Sequence, residues 1–257
     1  MTHHLQKVAH RGGSALAPQN TLAAFRNALT LPIDAIELDV QMTRDGHIVV
    51  FHDSTIEKLT DGFGNMLDLD FVYLRGLNAA AHFPGGWPEA QQIPTLREVL
   101  NLAKDHVQVY IEIKFSERDG VYGRYPNIAE AVVDEVRSAD MLDKALIISY
   151  DWAILTIVKA LAPALQTGAI VSDEVWNPRA EHAMQTLVEQ ASSLGCNWID
   201  MDCDLFTPDM PGIAHKHGLE IGVWTVNSSA EMRRFAAAGV DSITSDHADL
   251  FTQLDGI

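Results

Sequence analysis

Short apolar runs of strand length, each followed by an amphipathic stretch of helix length, recur along nearly the whole chain. The strand-like runs fall at 7–10, 35–41, 48–52, 107–114, 145–150, 167–171, 198–202, 221–226 and 242–245. Helical periodicity occupies 20–31, 95–105, 128–139, 152–161, 179–194, 209–217 and 229–238. Strand then helix, repeated, predicts βα units feeding a parallel sheet. Helix boundaries carry their own signals. Thr95 precedes Leu96 with Glu98 three residues on, a capping-box pattern, and Gly195, Gly218 and Gly239 stand where helices should stop.

Nine strands exceed an eight-stranded barrel by one, and Asp45-Gly46 explains the surplus. Read as a two-residue turn, it folds 35–41 and 48–52 into a hairpin. Eight βα positions then remain, which predicts an α/β chain built as a TIM (β/α)8 barrel, whose usual size is about 250 residues. A doubly wound open sheet fits the alternation as well, but no GxGxxG follows the first strand. Residues 54–94 break the rhythm with five glycines (Gly62, Gly64, Gly76, Gly85, Gly86) and three prolines (Pro84, Pro88, Pro94). An irregular insertion of that length is usually functional, so it is expected to cap the barrel mouth, and 1–257 is expected to be a single barrel domain.

Composition changes the picture mainly through charge. At 47% hydrophobic and 21% charged residues the chain is ordinary globular protein. Its 35 acidic against 18 basic side chains give a formal charge of −17, which repels nucleic-acid backbones and anionic lipid surfaces. Neither nucleic-acid partners nor stable membrane association is therefore expected, and no segment reaches the roughly 20 apolar residues of a membrane span. Cys196 and Cys203 flank the strand-like 198–202, which would hold them roughly 20 Å apart, so reduced thiols and a cytoplasmic location are expected.

The candidate chemistry lies on strands and at their ends. Glu37 and Asp39 alternate with Ile36 and Leu38, so both acids share one face. By themselves they could be salt-bridged or mouth-exposed acids. If Arg44 sits opposite His47, the hairpin register brings His52 opposite Asp39, on the same face. Glu112 and Lys114 alternate likewise with Ile111 and Ile113, where an internal ion pair would also satisfy both. Three inward carboxylates on neighbouring strands are harder to accommodate without a divalent cation, and an all-oxygen set favours Mg²⁺ or Ca²⁺, with Mn²⁺ possible in principle. His10 and Arg11 end the first strand, at the face where barrel enzymes carry their sites. Two histidines beside a cation suit general acid and base work near neutral pH, and Arg11 with Lys114 suits an anionic group such as a phosphate. His47, His82, His106, His182, His215, His217 and His247 fall in turns, loops or helix ends, and Asp246 is expected to cap the final helix.

The runs HRGGSALAPQNTLAAFRNAL, DAIELDVQMTRDGHIVVFHD and YIEIK, followed by IPTLREVL, GVWTVN and GVDSITSD, strongly resemble the glycerophosphodiester phosphodiesterase family over residues 7–250. The ordered set HRG, xNT, ExD, HD and ExK carries the resemblance. It implies a metal-dependent barrel with a small insertion after HD, hydrolysing a small-molecule glycerophosphodiester to glycerol 3-phosphate and an alcohol. His10 and His52 match the family's acid/base pair; Glu37, Asp39 and Glu112 match its metal ligands. Arg11 and Lys114 match positions near the phosphate. Trp224 matches an aromatic that would line the glycerol pocket, although a buried core Trp fits the strand equally well. One departure stands out: the family pattern reads Pro-Glu-Asn-Thr where this chain has Pro18-Gln19-Asn20-Thr21. Gln19 keeps an acceptor oxygen near the cation but loses a charge, while Asn20 reads as the cap of the following helix. Two rival readings are a barrel phospholipase acting on lysophospholipids and a binding protein impaired in catalysis through Gln19.

Overall fold

The computed structural model describes residues 4–254. Eight parallel strands close into a barrel in the order β2, β1, β11, β10, β9, β8, β7, β4 and back to β2. They are β1 (Gln6–Ala9), β2 (Ala35–Met42), β4 (Gln108–Ile113), β7 (Ala145–Ser149), β8 (Gln166–Val171), β9 (Trp198–Asp202), β10 (Glu220–Trp224) and β11 (Ser242–Ser245). Seven α-helices connect successive strands: α1 (Leu22–Ala28), α3 (Leu96–Ala103), α4 (Ile128–Ser138), α5 (Trp152–Leu161), α6 (Ala183–Ser193), α7 (Met210–Lys216) and α8 (Ser229–Ala238). A 3₁₀ segment, Ala248–Leu254, takes the eighth helical position. The architecture is the expected (β/α)8 barrel. Among the described residues no helix is long and apolar enough to cross a membrane, and Cys196 and Cys203 are both free thiols.

Strand alternation decides what the barrel holds. Ile36, Leu38 and Val40 of β2 and Val109, Ile111 and Ile113 of β4 point outward into the continuous core shared with the helices. The inward face packs a separate floor from Val8, Ala35, Tyr110, Leu146, Ile148, Ile170 and Trp198. Tyr110 and Trp198 meet edge to face, with centroids 6.0 Å apart. Above that floor β2 turns Glu37, Asp39 and Gln41 inward, and β4 turns Glu112 inward in register with Asp39. Polar side chains thus replace the floor's apolar ones toward the carboxyl ends of the strands, where the sites of such barrels lie.

The hairpin differs from expectation by one residue. β3 (Ile48–Val50) does pair antiparallel with β2, but as Val40 to Val50, Gln41 to Val49 and Met42 to Ile48. The turn has three residues rather than two. Thr43 N–H donates to the His47 carbonyl at 3.0 Å, and Gly46 takes φ = 85°. That left-handed glycine forms the bulge typical of a three-residue loop. Phe51, not His52, therefore bonds back to Asp39, through its N–H at 2.9 Å to the Asp39 carbonyl. A one-residue slip reverses the faces, so the cross-strand route expected for His52 does not operate.

Two further elements complete the chain. α2 (Phe71–Arg75) lies within residues 54–94, which build a small core of their own: Ile56, Met66, Leu74, Ala79 and Ile93 close on Val49 and Phe51. Arg75 ties this segment to α3 through Glu98, at 2.5 and 2.8 Å, the same glutamate that completes the capping box with Thr95. A second hairpin, β5 (Ser116–Arg118) with β6 (Val121–Gly123), follows β4 and was not among the expected elements. Its turn is Asp119-Gly120 at φ = 51° and 75°, so the Asp-Gly signal was present but flanked by strands of only three residues.

Candidate active site

β1 ends at Ala9, and the chain turns over the barrel mouth through His10–Gly12. Arg11 adopts φ = 52° and Gly12 φ = 80°. Only glycine fits at 12, because a Cβ there would lie 2.9 Å from Ala24 Cβ and 3.0 Å from Phe25 Cδ1 of α1. The turn points the Arg11 N–H inward, where it donates to Glu37 Oε2 at 2.9 Å. The Arg11 guanidinium reaches Asp39 Oδ2, 3.3 Å from Nε, and donates through Nη1 to Gln19 Oε1 at 2.8 Å. Gln19 therefore holds Arg11.

Carboxylate oxygens of Glu37, Asp39 and Glu112 all lie within 4.8 Å of one another. Lys114 Nζ stands 2.8 Å from Glu112 and 3.6 Å from Asp39. Burial alone would push the Asp39 carboxyl up, but the charges of Arg11, Lys114 and His52 and a hydrogen bond from Asn20 hold it well below the usual range. Glu37 goes the other way: burial first, then the Asp39 charge, raise its carboxyl well above normal. Two cations thus leave three carboxylates under-compensated, and Asp39 Oδ1 is buried with no hydrogen-bond donor. An oxygen-only, charge-deficient cluster of this kind is able to hold a metal ion and fits a hard divalent cation.

Both expected histidines line the same cavity, of about 130 Å³, as Glu37, Glu112, Arg11 and Lys114. His10 Nδ1 bonds Asp246 Oδ1 at 2.6 Å, and its Nε2 stands 3.8 Å from Glu37 Oε2. His52 Nδ1 bonds Asp53 Oδ1 at 2.6 Å. His52 arrives by a route other than the ladder. Gln41 Nε2 lies 2.9, 3.0 and 2.8 Å from the carbonyl oxygens of Phe51, His52 and Asp53, bending the chain over the mouth as it leaves β3. Trp224 lines the cavity and also packs against the barrel floor, with Nε1 donating to the Asp200 carbonyl at 3.0 Å and its ring edge-on to Tyr150, centroids 6.2 Å apart.

Two expectations about helix caps are corrected. Thr21, not Asn20, caps α1 by accepting from Ala24 N–H at 3.2 Å. Asn20 instead takes φ = 58° and turns into the barrel, donating to Asp39 Oδ2 at 2.8 Å. Asp246 does not cap the final helical segment. It accepts from Ser14 Oγ at 2.5 Å and Asn227 Nδ2 at 2.8 Å while holding His10. Burial would raise the Asp246 carboxyl, yet its bond to His10 and the charge there keep it far below the usual range.

Asp53 and Asp200 were also missed. Asp53 is held low by His52 against the opposing effect of burial. Asp200 lines the cavity floor at 7% exposure, its carboxyl pushed up to about 7 by burial and by the charge of Glu112. Its signal was present: Trp198 and Asp200 alternate with Ile199 just as Glu37 and Asp39 alternate with Leu38.

Residues 10–250 match the glycerophosphoryl diester phosphodiesterase family as a whole. A glycerophosphodiester phosphodiesterase of Caldanaerobacter subterraneus is 34% identical over 248 residues, 96% of each chain. Among solved structures, a glycerophosphodiester phosphodiesterase from Agrobacterium tumefaciens shares 26% identity at a TM-score of 0.78, covering 97% of this chain and all of that one. An Oleispira antarctica phosphodiesterase, solved with its product sn-glycerol-3-phosphate, shares 25% identity at a TM-score of 0.78, covering 98% and 97%. With the barrel, an acid cluster that opens into one cavity with both histidines through Glu37 and Glu112, and a family match that spans them all, the chain belongs to the glycerophosphoryl diester phosphodiesterase family.

Proposed function

We propose that this protein hydrolyses glycerophosphodiesters to sn-glycerol 3-phosphate and an alcohol, with His10 and His52 as the proton-transfer pair and Glu37, Asp39 and Glu112 as the holders of one divalent cation. The observation that carries the reading is the presence, in one cavity with Glu37 and Glu112 of the acid cluster, of two imidazoles each tied through Nδ1 to its own carboxylate. The Oleispira relative's bound product and the Caldanaerobacter relative's name support the substrate class.

A carboxylate on Nδ1 keeps a proton on that nitrogen and fixes the ring's orientation, leaving Nε2 to take a proton from the nucleophile in one histidine and to give one to the leaving group in the other. One histidine takes a proton from the attacking oxygen as it bonds to phosphorus, that oxygen belonging either to water or to the glycerol 2-hydroxyl, whose cyclic phosphate a water then opens. The other donates a proton to the departing alkoxide as its P–O bond breaks. Arg11 and Lys114 place fixed positive charge at the cavity wall for the phosphate, Gln19 orients Arg11, and Trp224 walls the glycerol end. A bound divalent ion supplies charge that polarises a phosphoryl oxygen. Mg²⁺ or Ca²⁺ is the ion proposed, with Mn²⁺ fitting the same oxygens. The chain is taken to work as one unit in the cytoplasm, residues 54–94 lending Ser54, Thr55 and Lys58 to the rim of the mouth.

The test is glycerol 3-phosphate release from glycerophosphocholine, with chelator and then each ion restored. Release that stops with chelator and returns with Mg²⁺, Ca²⁺ or Mn²⁺ supports the reading. His10→Ala and His52→Ala should each lower kcat by about 10²- to 10⁴-fold; near-normal turnover in either overturns the assignment. Faster cleavage of lysophosphatidylcholine than of glycerophosphocholine would instead favour the phospholipase reading. Inactivity with every ion, rescued by Gln19→Glu, would favour the impaired one.

A further inference from the structure

Beside the catalytic cavity opens a larger groove of about 770 Å³, and the two share His52, Glu112, Lys114 and Tyr150. The inner cavity is small, walled by Trp224 and floored by Asp200, which suits the glycerol end that every substrate has in common. The outer groove therefore receives the alcohol, and its wall has a definite chemistry. Phe115 and Tyr122 meet edge to face with centroids 5.9 Å apart, and Tyr122 is 66% exposed. Glu117 and Glu174 line the same groove.

The charges do not cancel. The groove's two lysines are already engaged, Lys114 with Glu112 at 2.8 Å and Lys58 with Asp53 at 3.7 Å. The neighbouring Arg118 pairs with Asp68. Glu117 Oε2 accepts from Ser54 Oγ at 2.9 Å, but among the described residues neither Glu117 nor Glu174 has a cationic partner within 4.0 Å. Two uncompensated carboxylates in the same groove as the exposed Tyr122 ring attract a compact cation, through ring quadrupole and Coulomb field together.

We infer that this groove is a head-group subsite selecting glycerophosphodiesters whose alcohol carries a positive charge, a quaternary or primary ammonium, over neutral and anionic ones. The inference rests on the proposed hydrolysis for its biological use, but the groove can be tested without turnover. The first measurement is calorimetric binding of glycerophosphocholine, glycerophosphoethanolamine and glycerophosphoglycerol to the His10→Ala variant. Its companion is kcat/KM of the wild-type protein on the same three diesters.

The cationic diesters should bind on the order of 10-fold more tightly than the neutral one, with the gap narrowing at high salt. Glu117→Gln with Glu174→Gln should bring that ratio to within about 2-fold of unity, since glutamine keeps the acceptor for Ser54 but removes the charge. Tyr122→Ala should weaken the choline diester more than the ethanolamine one, because the trimethylammonium leans on the ring and the primary ammonium on the carboxylates. Equal affinity for charged and neutral diesters, or a ratio untouched by the double glutamine variant, overturns the subsite. A preserved binding preference without any glycerol 3-phosphate release overturns the proposed reaction while upholding the groove.

Discussion

Asp200→Asn is expected to stabilise the metal-free protein, and by an amount that depends on pH. Asp200 faces inward on β9 and is almost fully buried, with Glu112 as its charged neighbour. Burial, then that charge, lifts its carboxyl from 3.8 to about 7. Between those values the unfolded chain has released the proton and the folded chain still holds it. Stability therefore falls as pH rises through that window, by up to about 1.4 kcal/mol per pH unit. Over three units the ionised form costs at most about 4 kcal/mol at pH 8, and local relaxation around the charge returns part of it, leaving about 2–4 kcal/mol. Asparagine has nearly the same shape and cannot ionise. For a chain of this length the gain amounts to roughly 5–10 °C in Tm at pH 8. Near pH 4, where the folded wild type holds the proton and the unfolded chain is only about half ionised, the remaining difference is about 0.5 kcal/mol and the two proteins should melt within about 2 °C of each other. Scanning calorimetry of both proteins in chelator, at pH values from 4 to 8, reads the difference directly and cancels all other titrating groups. Equal melting at pH 8, or a gap that does not change with pH, refutes the reasoning.

Three more outcomes follow from particular contacts. Asp246→Asn leaves His10 a partner of the same shape but no charge to hold its tautomer, so kcat should fall by about 10²- to 10⁴-fold while KM changes by less than about 3-fold; a KM-only effect in steady-state assays would assign Asp246 to substrate binding instead. Asn20→Ala removes the donor to Asp39 and should weaken divalent-ion affinity by about 10- to 100-fold in titration calorimetry, and unchanged affinity would show that Asn20 plays no part in holding the acid cluster. Gly12→Ala forces a Cβ into α1 at a positive φ and should cost about 2–4 kcal/mol in urea unfolding; a loss under about 1 kcal/mol would mean the turn and α1 separate freely.

Much of the site was legible because strand geometry is local. A period of two placed Glu37 with Asp39, and Glu112 with Lys114, on shared faces before any neighbour was known, and the barrel kept those faces inward. The hairpin shows how such reasoning reaches a right place for a wrong reason. His52 does line the cavity, but one extra turn residue with Gly46 at a positive φ shifts the ladder, and Gln41 rather than cross-strand pairing brings the histidine in. Asn20 was misread because its neighbour Thr21 offers the same capping chemistry, and the choice between them depends on where the acid of β2 lies.

By itself, the order of apolar runs and amphipathic stretches determined a series of eight βα units. It also determined which carboxylates share a face and that the mouth would carry histidines and cations, since all of this depends on residues a few positions apart. Tertiary structure alone decided that His10 would rest on Asp246, 236 residues away, once β1 and β11 paired to close the barrel. It likewise decided that Asp200 would lie across the cavity from Glu112 and that the hairpin after β4 would wall an acidic, aromatic groove. Those contacts depend on closure, and the strength of a buried charge depends on every group that closure brings within reach.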